Sequence, residues 1–196
     1  MNKELWDKCV AFHGHSCPGL AIGFRAATLA LELLGLEEGA KDVELVCVTE
    51  NDACGVDAVP VITGCTLGKG NLLYRGTGKM AFSFYCRRSG RAVRLMLKPL
   101  PEDLDREERR RMILEAPAEQ VFAVSTPTRP VPEPARRFAN VTCAGCGETV
   151  PEHKVRLVDG KPYCLDCFSP YERGWYKIGG IICMKKLSII SLCLSL

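Results

Sequence analysis

The chain has 196 residues, of which 47% are hydrophobic and 25% charged, and its formal net charge is +3. This length allows one ordinary domain with a small appendage, and so small a positive charge gives no support to nucleic-acid binding. The opening residues lack the apolar segment of a signal peptide, which predicts a cytoplasmic protein. In that compartment, the twelve cysteines are expected to bind metal or act in catalysis rather than to form disulfides.

The first motif in the chain is His13-Gly-His15-Ser-Cys17, which stands directly before a predicted helix. Pro18 suits the first turn of that helix, and Gly35 ends it. Two imidazoles and a thiol within five residues can converge on one metal ion or one substrate atom. The helix N-terminus favours the thiolate of Cys17, the form that binds metal or attacks an electrophile. The alternative is that these residues serve only in capping and packing.

A strand is predicted over residues 43–49 and a second helix over residues 56–63. Cys54 lies between this strand and this helix, and Asp57 lies within the helix. Both are near the end of the strand, where α/β architectures gather functional groups. The two residues are three apart, so on a helical turn they point the same way. The structural alternative is that Asp52 caps the helix and Cys54 is buried.

A glycine-rich stretch over residues 64–70 contains Cys65 and Lys69. It does not match a nucleotide phosphate loop, because its framing glycines are too close and a glycine replaces the magnesium-binding Ser or Thr. Lys69 and the backbone amides are expected to receive an anionic group. Equally, the glycines simply serve the turns of the loop.

The next part of the chain predicts a β-hairpin, with strands over residues 80–86 and 92–97. A charged helix is expected over residues 103–115 and another strand over residues 121–124. Residues 1–125 are therefore predicted to form one α+β domain, in which an antiparallel-containing sheet packs with helices.

Four prolines between residues 126 and 134 predict a semi-rigid linker, placed at residues 126–139. Beyond it, two Cys-x2-Cys pairs supply four thiolates at the spacing of a closed structural zinc site. A strand, an Asp-Gly turn and a return strand lie between the pairs, as in a zinc ribbon, which we place at residues 140–175. The predicted zinc ligands are Cys143, Cys146, Cys164 and Cys167.

Residues 176–196 form an apolar tail that is interrupted by Lys185 and Lys186. The uninterrupted portion is far shorter than the ~20 residues that span a bilayer, so no membrane anchor is expected. The tail has two interpretations, a sticky terminal helix or strand, or a sequence artefact past the true end of the protein.

Three motifs in this order, HGHSCPG from His13, CGVDA from Cys54 and TGCTLGKGN from Thr63, are followed by the four-cysteine ribbon. Together they resemble the FmdE family of formylmethanofuran dehydrogenase proteins, over roughly residues 5–170. The resemblance implies an α+β domain whose cleft carries the histidine and cysteine motifs, an appended zinc ribbon and a homodimer. It also implies a link to molybdenum or tungsten formylmethanofuran dehydrogenase, beside which the family is encoded in methanogens. The apolar tail and Pro60 depart from the family pattern.

The leading hypothesis is a metal-binding accessory protein of a molybdenum or tungsten oxidoreductase. Three N/S ligands with a vacant fourth position mark a catalytic or transfer site, and His15, Cys17 and Cys54 are predicted to hold a second metal ion, zinc. His13 is then a fourth ligand, a general base or a partner that orients a ligand. In this scheme Asp57 orients an imidazole, and Lys69 holds an anionic ligand. The candidate catalytic residues are His13, Cys17, Asp57, Cys65 and Lys69.

Two hypotheses come from other classes of protein. In the first, Cys17, Cys54 and Cys65 form a set for thiol redox chemistry or sulfur transfer, with a thiolate as nucleophile. In the second, the ribbon docks protein or nucleic acid without catalysis, an interpretation supported only by Arg136 and Arg137. The metal content of the purified protein separates these hypotheses from the leading one.

Overall fold

The computed structural model describes residues 2–37 and 44–171. The chain divides into two compact units, of which the first ends at Arg136 and the second begins at Arg137. The predicted apolar tail lies outside the described residues. Within the described ranges, we find no helix with the length and apolar character needed to cross a membrane.

The first unit contains helices and a five-stranded sheet. Its helices are α1 Lys3–His13, α2 Pro18–Leu34, a 3-10 turn at Cys54–Asp57, α3 Ala58–Thr63, α4 Arg106–Glu115 and α5 Ala118–Val121. Its strands are β1 Leu45–Thr49, β2 Leu72–Tyr74, β3 Ala81–Cys86, β4 Ala92–Leu97 and β5 Phe122–Ser125.

The strand order in the sheet is β2-β1-β3-β4-β5, with β1 and β2 parallel and the other neighbours antiparallel. This mixed sheet, packed with helices, confirms the predicted α+β class. All six residues of the central strand β3 are buried, so both faces of the sheet are covered there. Phe82 and Phe84 lie in the hydrophobic core with Phe24 of α2, whereas the alternate residues Ser83 and Tyr85 belong to the opposite face.

Helix α2 forms as its sequence predicts. The Cys17 side chain caps it by accepting from the backbone N–H of Leu20, Pro18 occupies the first turn, and Gly35 ends it with a φ of 67°. The helix predicted over residues 56–63 begins at Ala58 instead, after the 3-10 turn. Pro60 consequently falls in its first turn, where a missing N–H costs no helical hydrogen bond.

Helix α4 begins at Arg106, three residues later than predicted, because Asp105 caps it. The carboxylate of Asp105 accepts from the backbone N–H groups of Glu107 and Glu108, and the Glu108 side chain accepts in return from the Asp105 N–H. This reciprocal pair satisfies donors that the first turn leaves free and so fixes the start of the helix.

The outer face of the sheet, opposite the helices, is crossed by residues 127–133, which we call the proline strap. These residues lie within the predicted linker but belong to the first unit. The Tyr85 hydroxyl donates to the carbonyl of Arg129 over 3.3 Å. The strap is therefore tied to the middle of the sheet.

A buried ion pair lies on the same face of the sheet. Glu50 is 5% exposed; its Oε1 accepts from Arg94 Nε at 2.7 Å, and its Oε2 accepts from the Thr77 hydroxyl at 2.8 Å. The hydrogen bond from Arg94 is the main reason that the pKa of Glu50 lies below its ordinary value of 4.5, although burial opposes this shift.

Glu50→Gln is expected to lower the free energy of unfolding by about 2 kcal/mol at pH 7, because charge-assisted hydrogen bonds are lost in a buried place. Since the folded-state pKa is depressed, the carboxylate stabilises the fold above pH 4.5, and this contribution disappears as pH falls through the folded-state pKa. Urea unfolding at pH 7 and at pH 3 checks this. A difference between the two proteins that is equally large at pH 3 would contradict it.

The second unit is built from two hairpins, β6 Asn140–Thr142 with β7 Thr149–Pro151 and β8 Val155–Val158 with β9 Lys161–Cys164. Asp159 and Gly160 have φ values of 49° and 74°, as a tight two-residue hairpin turn requires. Among its described residues, only Cys143 and Cys164 are buried. Hydrophobic packing alone therefore contributes little to its stability.

Candidate metal centres

The four cysteines of the second unit form one group whose sulfur atoms all lie within 4.8 Å of one another. Cys143 Sγ accepts from the backbone N–H of Cys164 at 3.2 Å and of Gly145 at 3.3 Å. Backbone hydrogen bonds, chiefly that of Cys164 and then that of Cys146, lower the pKa of Cys143 to about 6. The donor set suits zinc, because a thiolate is the form that ligates it and four sulfurs complete a tetrahedron.

The first unit brings a second group together around the end of α1 and the start of α2. Gly14, with a φ of 91°, ends α1 directly after His13, and the chain then reaches the cap of α2 at Cys17. The ligand atoms of His13, His15 and Cys17 lie within 4.8 Å of one another. His13 Nε2 is 3.8 Å from Cys17 Sγ, which matches the separation of about 3.3–3.8 Å between ligands of a tetrahedral zinc ion.

His13 is oriented by Asp57, whose Oδ2 lies 2.8 Å from His13 Nδ1. The other ring nitrogen, Nε2, is the one that lies near Cys17. The imidazole is largely buried, with 10% of its side chain exposed. A carboxylate on one imidazole nitrogen with the other nitrogen free for a metal is the usual arrangement of a metal-binding histidine.

Cys54 lies beside this group but is not one of its three members. A Cβ atom built on Gly19 would lie 3.5 Å from Cys54 Sγ and 3.8 Å from Cys17 Sγ, which places both thiols next to the first turn of α2. Burial, followed by the hydrogen bond with Cys17, raises the pKa of Cys54. The structure therefore groups His13 with His15 and Cys17, whereas the predicted ligands were His15, Cys17 and Cys54, with a fourth ligand as one of three roles offered for His13.

The backbone approach that positions Cys54 depends on Gly23. A Cβ atom on Gly23 of α2 would lie 1.8 Å from the carbonyl oxygen of Gly55. Because real Cβ atoms do not come that close to a backbone oxygen, only glycine at residue 23 lets the 3-10 turn lie against α2.

Cys65 and Lys69 lie elsewhere. Cys65 is fully buried, its thiol donates to the carbonyl of Leu45 at 3.3 Å, and burial raises its pKa. Lys69 Nζ donates to the carbonyl of Gly64 at 2.7 Å and is exposed. In the described contacts, neither side chain meets the histidine motif, so the structure does not bring them into this site.

A cleft of about 490 Å³ opens beside His13, Cys54 and Asp57. Its polar wall comes from the segment after β1, including Asn51 and Asp52. The lining also includes the exposed apolar side chains of Leu67 and Tyr74. The cleft is large enough for a small organic molecule to reach the metal-binding group.

The family model for FmdE, described as the molybdenum formylmethanofuran dehydrogenase operon, matches residues 12–125 and therefore most of the first unit. The chain belongs to the FmdE family. The resemblance drawn from the sequence is thereby confirmed. In this FmdE chain, residues 136–173 also match the prokaryotic dksA/traR C4-type zinc finger, the segment that holds the four-cysteine group.

The FmdE chain is similar to a tungsten formylmethanofuran dehydrogenase FmdE-like protein from Syntrophus aciditrophicus, known from a crystal structure. The two are 28% identical with a TM-score of 0.63, and the match covers 84% of this chain and 90% of that one. A relative from Archaeoglobus fulgidus, described as a probable S-adenosyl-L-methionine-binding protein, is 31% identical over 192 residues, with 82% of this chain covered. The FmdE chain spans 51% of that relative, about half its length.

One residue near the histidine motif of this FmdE chain escaped sequence reasoning. Arg110 of α4 donates from Nη1 to the hydroxyl of Ser16 at 2.9 Å, and Ser16 stands between His15 and Cys17. The helix that carries Arg110 is itself held by Arg25 of α2, which donates to the carbonyl of Ile113 in the last turn of α4 and to that of Ala116 just after it. Because Arg110 and Ser16 are 94 positions apart in the sequence, no local pattern indicates this contact.

Proposed function

We propose that this FmdE protein is a metal-binding accessory protein whose first unit holds a zinc ion at an open site, separate from the zinc of the ribbon. The observation that carries this proposal is the chain of contacts from Asp57 through His13 to Cys17, with His15 in the same group. When bound, zinc supplies a Lewis acid or an activated water.

The arrangement favours an open site over a second structural one. The three ligands lie close together in sequence: His13 ends α1, Cys17 caps α2, and His15 lies in the turn between them. Three protein ligands beside a cleft leave a coordination position for a water or a substrate, whereas four thiolates close a site. Cys54 lies next to Cys17 and supplies a further thiol close to the open site.

The partner that we propose is a molybdenum or tungsten formylmethanofuran dehydrogenase, or a related oxidoreductase. The support is the family description and the similar FmdE-like protein, whose description names the tungsten enzyme. With this proposal go a homodimeric state, which the family resemblance implies, and a cytoplasmic location.

Metal analysis of the purified full chain tests the site. We expect two equivalents of metal in the unaltered protein and one in Cys17→Ser and in His15→Ala, because each change removes a ligand of the open site only. His153→Ala, which removes an exposed histidine of the second unit, is the matched control and should retain two. One equivalent in the unaltered protein, or two in Cys17→Ser, would overturn the proposal.

Asp57→Asn is expected to weaken metal binding at the open site by about 10- to 100-fold, because the carboxylate that orients His13 is replaced by a neutral amide. Competition with a chromophoric chelator measures the affinity, and cobalt substitution reports the ligand set by its absorption spectrum. Asp52→Asn, in the wall of the same cleft, is the control. An unchanged affinity in Asp57→Asn would show that the contact is only structural.

A second candidate function, thiol redox chemistry or sulfur transfer, is favoured by the closeness of Cys17 and Cys54. The deeply buried Cys65 takes no part in that pair. Thiol counting after mild oxidation distinguishes this candidate, since a disulfide between Cys17 and Cys54 removes two thiols together. Full retention of both thiols would leave only the metal function.

A further inference from the structure

We propose that the first unit has a second ligand site, between the outer face of the sheet and the proline strap, which binds a small carboxylic acid with an apolar body. The site is a cavity of about 440 Å³. That volume lies within the range of small-molecule pockets and far exceeds what one ordered water fills. A strap that only covered the sheet would pack against it without such a space.

The walls of the cavity are mostly apolar. Val48 and Leu73 contribute from strands β1 and β2, and Pro127, Pro130 and Pro132 contribute from the strap. Proline rings have no rotamer freedom to lose, so they make a preformed apolar wall at low entropic cost. This lining suits the hydrocarbon part of a ligand.

The polar floor of the cavity offers hydrogen-bond donors. Both oxygens of Glu50 already accept hydrogen bonds, one from Arg94 Nε and one from Thr77. The two terminal nitrogens of Arg94 have no protein partner in the described contacts, although no fully buried side-chain nitrogen or oxygen there lacks one. These nitrogens therefore have access to the cavity that Arg94 lines.

The charges of the lining residues point to an anion. Arg75 and Arg129 join Arg94 around the cavity, and beyond the engaged Glu50 the remaining acidic residue is Glu133. An arginine fork matches the two oxygens of a carboxylate. An inorganic anion would satisfy the arginines but would leave the apolar walls facing water, so an organic acid fits better.

This cavity is distinct from the cleft of the proposed metal site. Val48 and Glu50 line the cavity, whereas Thr49 and Asn51 line the cleft, and Tyr74 at the end of β2 borders both. Successive side chains of an extended segment point to opposite faces of a sheet, so the two spaces lie on opposite sides of one backbone segment.

Calorimetric titration of the full chain with hexanoate, benzoate and inorganic phosphate tests the proposal. We expect saturable binding of at least one of the two carboxylates and at least tenfold weaker binding of phosphate. Arg75→Met, an exposed change, should weaken carboxylate binding several-fold. The double variant Glu50→Leu with Arg94→Met should abolish it, since it removes the floor while leaving no buried charge unpaired.

Arg106→Met, which removes an exposed arginine from α4, is the control and should bind the carboxylate as the unaltered protein does. Should the double variant fail to fold, Arg75→Met carries the test. The proposal is overturned if neither carboxylate binds at about 10 mM, a concentration that detects even weak sites. Phosphate that binds as well as the carboxylates, or undiminished binding in Arg75→Met, would also overturn it.

Discussion

Cys143→Ser is expected to unfold the second unit and to release its zinc, while the first unit stays folded. Two of the described residues of the second unit are buried, and both are predicted zinc ligands. Structural zinc binds small modules with an apparent free energy of about 10–16 kcal/mol, and that binding free energy drives their folding. The described core of the first unit is built from residues 5–122, so it does not depend on the ribbon.

Zinc content and a two-dimensional amide NMR spectrum of the full chain measure this result. The amide signals of residues 140–164 should collapse to the unfolded region, and those of the first unit should keep their positions. Ala144→Ser, which introduces the same hydroxyl beside the ligand, is the matched control and should bind zinc normally. Dispersed ribbon signals in Cys143→Ser would show that the hairpins fold without the metal.

Gly23→Ala is expected to lower the free energy of unfolding of the first unit by about 3 kcal/mol, the upper end of what overpacking usually costs. The added methyl group would lie 1.8 Å from the Gly55 carbonyl oxygen, so backbone must move. Because Gly55 follows Cys54 directly, the same movement should separate Cys54 from Cys17.

Urea unfolding measures the loss of stability, and the rate of disulfide formation between Cys17 and Cys54 under a mild oxidant reports their separation. Gly68→Ala is the control, because a methyl group there meets no atom within 4 Å. A Gly23→Ala protein as stable as the control would mean that α2 and the 3-10 turn can shift apart at little cost.

The elements that the sequence predicted well are those with strong local signals. Helix α2 has a cap, a proline and a terminal glycine, and the ribbon has its cysteine spacing. Helix α1 was not predicted, because it buries only Leu5, Trp6 and Cys9 and its apolar pattern is therefore weak. The features that indicate this helix are the Asn2 cap and two salt bridges between residues four positions apart. Strand β2 was missed because it has three residues and depends on parallel pairing with β1.

In the proposed metal site, too, only the contacts between residues close in sequence could be predicted. His13, His15 and Cys17 are neighbours in sequence, so their meeting could be expected from the motif alone. The approach of Cys54 depends on a glycine contact between distant segments, and the contact of Arg110 with the motif spans almost half the chain. The position of Cys65 is likewise a property of the tertiary fold, since its thiol donates a hydrogen bond to the carbonyl of Leu45 in β1.

The proline strap has a consequence for how such domains can be cut and recombined. The family match ends at residue 125, yet the first unit continues to Arg136. A fragment that stops at the end of the match would leave Tyr85 without its backbone acceptor and open the face that holds Glu50 and Arg94 to solvent. The segment that defines the family is thus shorter than the segment that folds, and a fusion of another protein to this domain should join after residue 136.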